Sequence, residues 1–209
     1  MNKIDLRKEL GHLYQPPAKQ VSVIEVPRFQ FAMIDGEIEP GASPGLSPTF
    51  QQALEALYGI SYTLKFMSKQ RKENPVDYTV MALEGLWWVE GGEFDINKPE
   101  GWRWTGLMLQ PDHITREMYT EALAQLRKKK PGPALDRLRL EPFHEGLCMQ
   151  IMHIGPYAEE PRTIAKMRQF ASQNGYAVHG KHHEIYLGDP RRADPAKLKT
   201  VLRQPIEKA

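Results

Sequence analysis

The side chains of this chain best placed to do chemistry are carboxylates set among aromatic rings. All four tryptophans, Trp87, Trp88, Trp102 and Trp104, fall in one stretch from Val80 to Gln110, and Glu84 stands in its first apolar run. Aromatic walls around a single acid suit a flat or cationic small molecule, because ring faces attract a cation and an apolar cleft excludes water. A second acid, Glu184, lies in the alternating run His182–Gly188 (HHEIYLG). The side-chain period of two puts His182, Glu184 and Tyr186 on one face there, with Ile185 and Leu187 on the other. A carboxylate in such surroundings is costly unless paired, and its pKa tends to rise. A raised pKa also suits a general acid or base acting on water, so binding and hydrolysis want the same residue. The competing reading, with the tryptophans as hairpin packing and Glu84 turned to water, uses the same residues and stays open here.

Other chemistries find less support. His182 and His183 are adjacent and point to opposite faces, and no HxH or HExxH spacing accompanies them or His153. No metal site is therefore expected. Cys148 lies inside an apolar run and reads as a small core residue rather than a nucleophile. There is no GxSxG, P-loop or GxGxxG sequence, so phosphate and dinucleotide chemistry are not indicated and no cofactor is expected. The basic run Arg127–Lys130 ends a helical pattern, where cations meet the negative end of the helix dipole; it is not read as a nucleic-acid patch.

The elements that must position these residues follow from periodicity. Tyr78–Val89 and Trp102–Gln110 are β-rich runs flanking Gly91, Gly92, Asn97, Pro99 and Gly101, which predicts two antiparallel strands joined by a long loop. Glu84 shares a face with Ala82, Leu86 and Trp88, and Trp102, Trp104, Gly106 and Met108 share another; we expect Trp88 to join Trp102 and Trp104. Val21–Val26 and Phe29–Ile34 are strand-like, and Gly36–Pro48 is a proline- and glycine-rich loop. Ser47-Pro48 then caps a helix on which Phe50, Leu54, Leu57 and Leu64 share a stripe, with Tyr58 and Tyr62 facing either cleft or core. Thr115 starts a second helix. Gly146–Ile154 is a strand, and Pro161–Asn174 a third helix stopped by Gly175. After the turn Gly155-Pro156, Tyr157 either offers its hydroxyl to the cleft or caps that helix. His182–Gly188 and Leu198–Arg203 close the chain. Strand, helix, strand, strand thus occurs twice, which predicts an α+β fold of two pseudo-symmetric βαββ repeats. Two antiparallel sheets are expected, each with its helix on the face away from the cleft.

Composition sets the outer bounds. The chain has 209 residues, 41% hydrophobic and 26% charged, as in ordinary globular proteins. A formal charge of +2 gives no electrostatic case for nucleic acid or a membrane surface. One cysteine excludes an intrachain disulfide and suits a reducing compartment. With neither a signal-like apolar segment at the N-terminus nor an 18-residue apolar run, a cytoplasmic location is expected.

The string GPYAEEPRTIAKMRQFASQNGY, followed by HHEIYLGDPRRADPAKLKTVLRQPI, resembles the GyrI-like small-molecule-binding family, the SOUL/GyrI effector-binding fold. Leu83-Glu84-Gly85-Leu86-Trp87-Trp88 is similar to its stand-alone branch. The resemblance covers residues 20–205 as a single domain: repeat one over 20–110, a bridging helix over 115–130 and repeat two over 138–205, preceded by an arm over 1–19. It implies that the antiparallel sheets themselves form a ligand cleft for a small molecule, with Glu184 as the acid facing aromatic or cationic compounds. Relatives include effector-binding halves of transcription regulators, multidrug binders, and hydrolases that open strained cyclopropane rings. Too few residues precede Val21 for a helix-turn-helix domain, so DNA binding by this chain alone is not expected. Three functions are thereby expected in competition: sensing or sequestering a planar, apolar, cationic or aromatic compound; ring-opening hydrolysis with Glu184 as acid or base and Tyr157 assisting; and docking of a protein partner. The ligand-facing set is Trp87, Trp88, Trp102, Trp104, Glu84, Glu184, Tyr186, Tyr58, Met108 and His153.

Overall fold

The computed structural model describes residues 2–92, 94–98 and 100–209; Pro99 of the expected loop lies outside them. The chain runs through β1 (Asn2–Ile4), α1 (Leu6–Glu9), α2 (Gly11–Tyr14), β2 (Ser22–Val26), β3 (Phe29–Glu37), α3 (Pro48–Gln70), β4 (Val76–Tyr78), β5 (Leu83–Val89), β6 (Trp102–Gln110) and α4 (Arg116–Lys129). It continues through β7 (Arg139–Phe143), β8 (Gly146–Ile154), α5 (Glu160–Gln173), β9 (Tyr176–Val178), β10 (His182–Tyr186) and β11 (Lys199–Lys208). The helices start where side-chain chemistry dictates. Ser47 Oγ accepts the Phe50 N–H ahead of Pro48, and Thr115 Oγ1 accepts the Met118 N–H. Gly175, at φ +66°, stops α5 in the left-handed conformation that a glycine adopts without strain.

The two repeats, β3–α3–β5–β6 and β8–α5–β10–β11, share one nine-stranded sheet in the order β2-β8-β11-β10-β5-β6-β3-β7, with β9 beside β11. The antiparallel halves join edge to edge through β5 and β10. This union removes two free strand edges that separate sheets would expose. β1 and β4 form a small parallel pair. Among the described residues, no helix is long and apolar enough to cross a membrane.

Directly paired residues share a face, so the ladders place Ile151, Leu202, Glu184, Gly85, Gly106 and Ile34 in one row across the sheet. Ile151 and Leu202 pack with Met167 and Ala171 of α5, and Ile34 packs with Leu57 and Ile60 of α3. Both helices therefore cover the face that carries Glu184. This corrects the expectation that the helices lie on the face away from the ligand-facing acid: α3 packs on one end of its row and α5 on the other.

The opposite face is closed by the N-terminal arm. Leu13 and Tyr14 are buried against Phe31, Met33, Leu107, Ile185 and Val201. Beneath them lies a buried charge network. Tyr14 donates to Glu84 Oε1 (2.6 Å), and His183 lies between Glu84 Oε2 (3.0 Å from Nε2) and Glu145 Oε1 (2.9 Å from Nδ1). Arg203 reaches Glu145 (3.2 Å), Gln150 (3.2 Å) and the Leu13 carbonyl (2.8 Å). Burial alone would lower the His183 pKa, but Glu145 and Glu84 outweigh it and raise it to about 9. Burial works to raise Glu145, and His183 and Arg203 reverse that and hold it below its ordinary value.

Because the folded pKa of His183 lies above its ordinary 6.5, its stabilising charge is complete below pH 6.5 and is lost as pH rises to about 9. His183→Gln leaves the buried Glu84 carboxylate without its cation and Glu145 with Arg203 alone, and is expected to cost about 3–5 kcal/mol. Urea unfolding from pH 6 to 9.5 should show the wild-type slope in that window shrinking in the variant. An unchanged slope would mean that the protonated imidazole does not hold the network.

Candidate functional site

The site lies where the row of six crosses from one repeat to the other. Gly85 faces Glu184 across the β5–β10 ladder and Gly106 across the β5–β6 ladder. A Cβ on Gly85 would come 2.8 Å from Trp87 Nε1 and 3.1 Å from the Tyr186 hydroxyl. The missing side chain thus lets an indole and a phenol lie down over the sheet beside Glu184.

Glu184 is 8% exposed and uses its two oxygens differently. Oε2 accepts the Tyr186 hydroxyl at 2.7 Å, and that hydroxyl accepts from Trp87 Nε1 at 3.0 Å. Burial, then the Glu184 charge, pushes the Tyr186 pKa well above 10, so the phenol stays protonated and keeps donating. Oε1 faces His182 Nε2 at 3.4 Å, but the angle makes no hydrogen bond, and that nitrogen is buried without a partner. The His182 ring stacks on Phe94 (5.4 Å, 14°), Phe94 meets Trp102 (4.9 Å), and Trp102 meets Trp87 (5.6 Å). Tyr157 stands edge-on to Tyr186 at 5.9 Å, and burial, then Glu160 and Glu184, raises its pKa to about 12.

Glu160 completes the cluster. It opens α5, is 1% exposed, and its pKa is pushed up to about 9, first by burial and then by the charge of Glu184. Thr200 stands close enough to pull the other way, yet Glu160 Oε1 and Thr200 Oγ1 each lack a completed hydrogen bond. Burial and the neighbouring carboxylate both favour a proton on Glu160. Near neutral pH Glu160 is therefore a carboxylic acid beside Glu184.

Of the residues singled out in the sequence, Glu184, Tyr186, Trp87 and Tyr157 meet here, and Trp102 joins the cluster against Trp87. Trp104 is fully buried against Phe50 (5.0 Å) and over Gly36, so it is core. Met108 is buried beneath Ser61 of α3, 3.6 Å from its hydroxyl, and is core as well. Tyr58 is 41% exposed, on the side where Asp189 acts on its hydroxyl, so it belongs to the rim rather than the core. Tyr62 is exposed and stacks on Phe66. His153 spends both ring nitrogens on Thr163 (2.9 Å) and the Pro156 carbonyl (3.2 Å), fixing the turn that presents Tyr157.

Glu84 and Trp88 are on the other face, which corrects two expectations. Trp87, not Trp88, pairs with Trp104, so Trp87, Trp102 and Trp104 share a face and Trp88 lies opposite, beneath the Lys181 ammonium (3.3 Å). By the same parity Glu84 faces the N-terminal arm and cannot converge with Glu184. The long β5–β6 connection left the register unspecified, and a slip of one residue exchanges the faces. Glu160 went unnoticed because acidic residues in a first helical turn ordinarily serve the dipole at the surface. Among the described residues, no group of three or more His, Cys, Asp or Glu side chains is arranged to hold a metal ion.

Residues 106–207 match the model of a family described as a GyrI-like small-molecule-binding domain. No match is found among curated proteins. Among solved structures, an uncharacterized conserved protein from Listeria innocua is 41% identical, with 98% of this chain and 100% of that one aligned at a TM-score of 0.86. A hydrolase from Listeria innocua is 40% identical over 99% and 100% of the two chains, with a TM-score of 0.84. The C-terminal domain of EcmrR shares the fold at 13% identity, over 91% of this chain and 98% of that one, with a TM-score of 0.55.

The raised pKa of Glu160 has a consequence for stability. A folded pKa of about 9 against an ordinary 4.5 means that stability present below pH 4.5 is lost as pH rises to about 9. Glu160→Gln, which needs no proton, should flatten the thermal-midpoint profile over that window and melt no lower than wild type at pH 8. The slope that remains, between pH 6.5 and 9, should belong to His183. A variant profile that parallels wild type from pH 4.5 to 6.5 would show that Glu160 carries no proton there.

Proposed function

The chain belongs to the GyrI-like small-molecule-binding family, and on that premise we propose that it is a hydrolase of electrophilic small molecules, including strained rings. The arrangement that carries this reading is Glu160, buried at the start of α5 with its carboxyl pKa pushed up by burial and by the charge of Glu184, close to the rings of Tyr157 and Tyr186. Its similarity along nearly the whole chain to a Listeria innocua protein described as a hydrolase supports it.

In this reading Glu184, held by Tyr186, takes a proton from a water molecule as the water oxygen bonds to the electrophilic carbon. The bond from that carbon to its leaving atom breaks, the electron pair passes to the leaving atom, and the Glu160 carboxyl supplies its proton. Transfer of the captured proton from Glu184 back to Glu160 resets the pair. Tyr157 and Trp87 frame the aromatic body of the substrate, and Tyr58 guards the rim. A second reading, sequestration of a planar cationic compound, has its own support in the rings of Tyr157, Tyr186 and Trp87 around one carboxylate.

Glu184→Gln separates the two. It preserves shape, so the fold should persist. Across a panel of cationic dyes and strained-ring electrophiles, catalysis predicts that turnover falls about a hundredfold or more, the scale of a lost general base, while affinity holds. Sequestration predicts that cation affinity weakens by about 1–3 kcal/mol with no turnover in wild type. A variant unchanged in both assays would remove Glu184 from either function.

A further inference from the structure

A cavity of about 310 Å³ lies beyond His182, between α5 and residues 94–97 of the β5–β6 connection. Phe94, Ile96, Met149, Ile164, Met167 and Val178 give it apolar walls. Several of its polar wall groups are engaged within the protein. The Asp95 carboxylate accepts the Asn97 backbone N–H and side-chain amide, both at 3.0 Å, and pairs with Lys98 at 3.6 Å. Gln204 donates to the His179 carbonyl at 2.6 Å, and Arg168 reaches the Phe94 carbonyl at 3.5 Å. His182 differs from them. It is 4% exposed, lines the cavity, and brings to it a buried nitrogen with no hydrogen-bond partner. A buried, unmade hydrogen bond is costly, and a guest that completes it is favoured by the same amount.

We propose that this cavity binds the flat, uncharged aromatic part of the ligand, and that His182 Nε2 takes a hydrogen-bonding heteroatom on that ring system. The near-parallel stack of Phe94 on His182 makes one wall planar, which selects a planar guest. Asp95 is already engaged by Asn97 and Lys98, so a cationic ring would be desolvated with no free carboxylate on that wall to meet it, and an uncharged ring is preferred. His182 Nε2 stands 3.4 Å from Glu184 Oε1, so a heteroatom held there sets the neighbouring carbon before Glu184. The assignment of the reacting carbon rests on the hydrolase reading; the binding site does not.

The test uses four probes with one body, naphthalene, 2-naphthol, naphthalene-2-sulfonate and trimethyl(2-naphthyl)ammonium, with binding followed by calorimetry and chemical-shift mapping. Wild type should prefer 2-naphthol to the other three, with shifts centred on α5 and residues 94–97. Ala165→Phe, at an exposed helix position that lines the cavity, should keep the fold and weaken 2-naphthol at least tenfold. His182→Phe should leave naphthalene bound and abolish the preference for the hydroxyl. The proposal is overturned if wild type binds none of the probes at millimolar concentration, if Ala165→Phe leaves 2-naphthol affinity unchanged, or if the ammonium probe binds best. Because binding is read without turnover, a protein that binds 2-naphthol here but opens no electrophile would refute the hydrolase reading and keep this site.

Discussion

Antiparallel pairing of β5 with β10 is the constraint on which the rest of the molecule depends. Each repeat alone would be a half-covered sheet with an open edge. Joining them by this ladder puts a strand from each repeat in the middle of one sheet, where the N-terminal turns of α3 and α5 reach it, Phe50 against Trp87 and Glu160 beside Glu184. What stands on the floor of the groove between those two helix ends is decided by two short strands. On β5 the floor position is a glycine, on β10 a glutamate.

Alternation along those two strands divides the labour between the faces. Residues 184 and 186 turn to the groove with Trp87, while Glu84, His183 and Ile185 turn to the N-terminal arm. Neighbouring residues on one strand thus serve different purposes. The back face is finished: its charges are paired, its donors used, and its surface covered by Leu13 and Tyr14. The groove face is unfinished, with unpartnered polar atoms on Glu160, His182 and Thr200. Buried polar atoms left unpaired cost stability wherever they occur, and their concentration around one carboxylate marks where a guest would complete the structure.

Much of this was legible in the sequence, for reasons that also explain what was not. Ser47-Pro48 and Thr115 announced two helix starts, because capping is local chemistry. The alternation in HHEIYLG placed His182, Glu184 and Tyr186 together, because period two is intrinsic to a strand. Cross-strand register is a different matter. Whether Trp87 or Trp88 joins Trp102 and Trp104 depends on a connection too long to dictate pairing, and with that parity went the side of Glu84. Long-range burial was equally hidden. Nothing in the string EEP tells that Glu160 is sealed against Glu184 while Glu159, one position earlier, stays at the surface. The arm reads as a charged tail, although Arg203, almost two hundred residues away, holds its Leu13 carbonyl.

The charge network behind the sheet carries a further consequence. Two carboxylates, Glu84 and Glu145, face two cations, protonated His183 and Arg203, so the group sums to zero. A neutral, tightly spaced quartet produces a potential that dies away much faster with distance than that of a lone charge. On the opposite face of the sheet from Glu184, it therefore adds little to the field at that carboxylate. The field inside the groove is then written almost wholly by the groove's own residues. Substitutions among Glu160, Tyr157 and His182 could therefore retune the chemistry of the cleft with the scaffold electrostatics behind it left undisturbed.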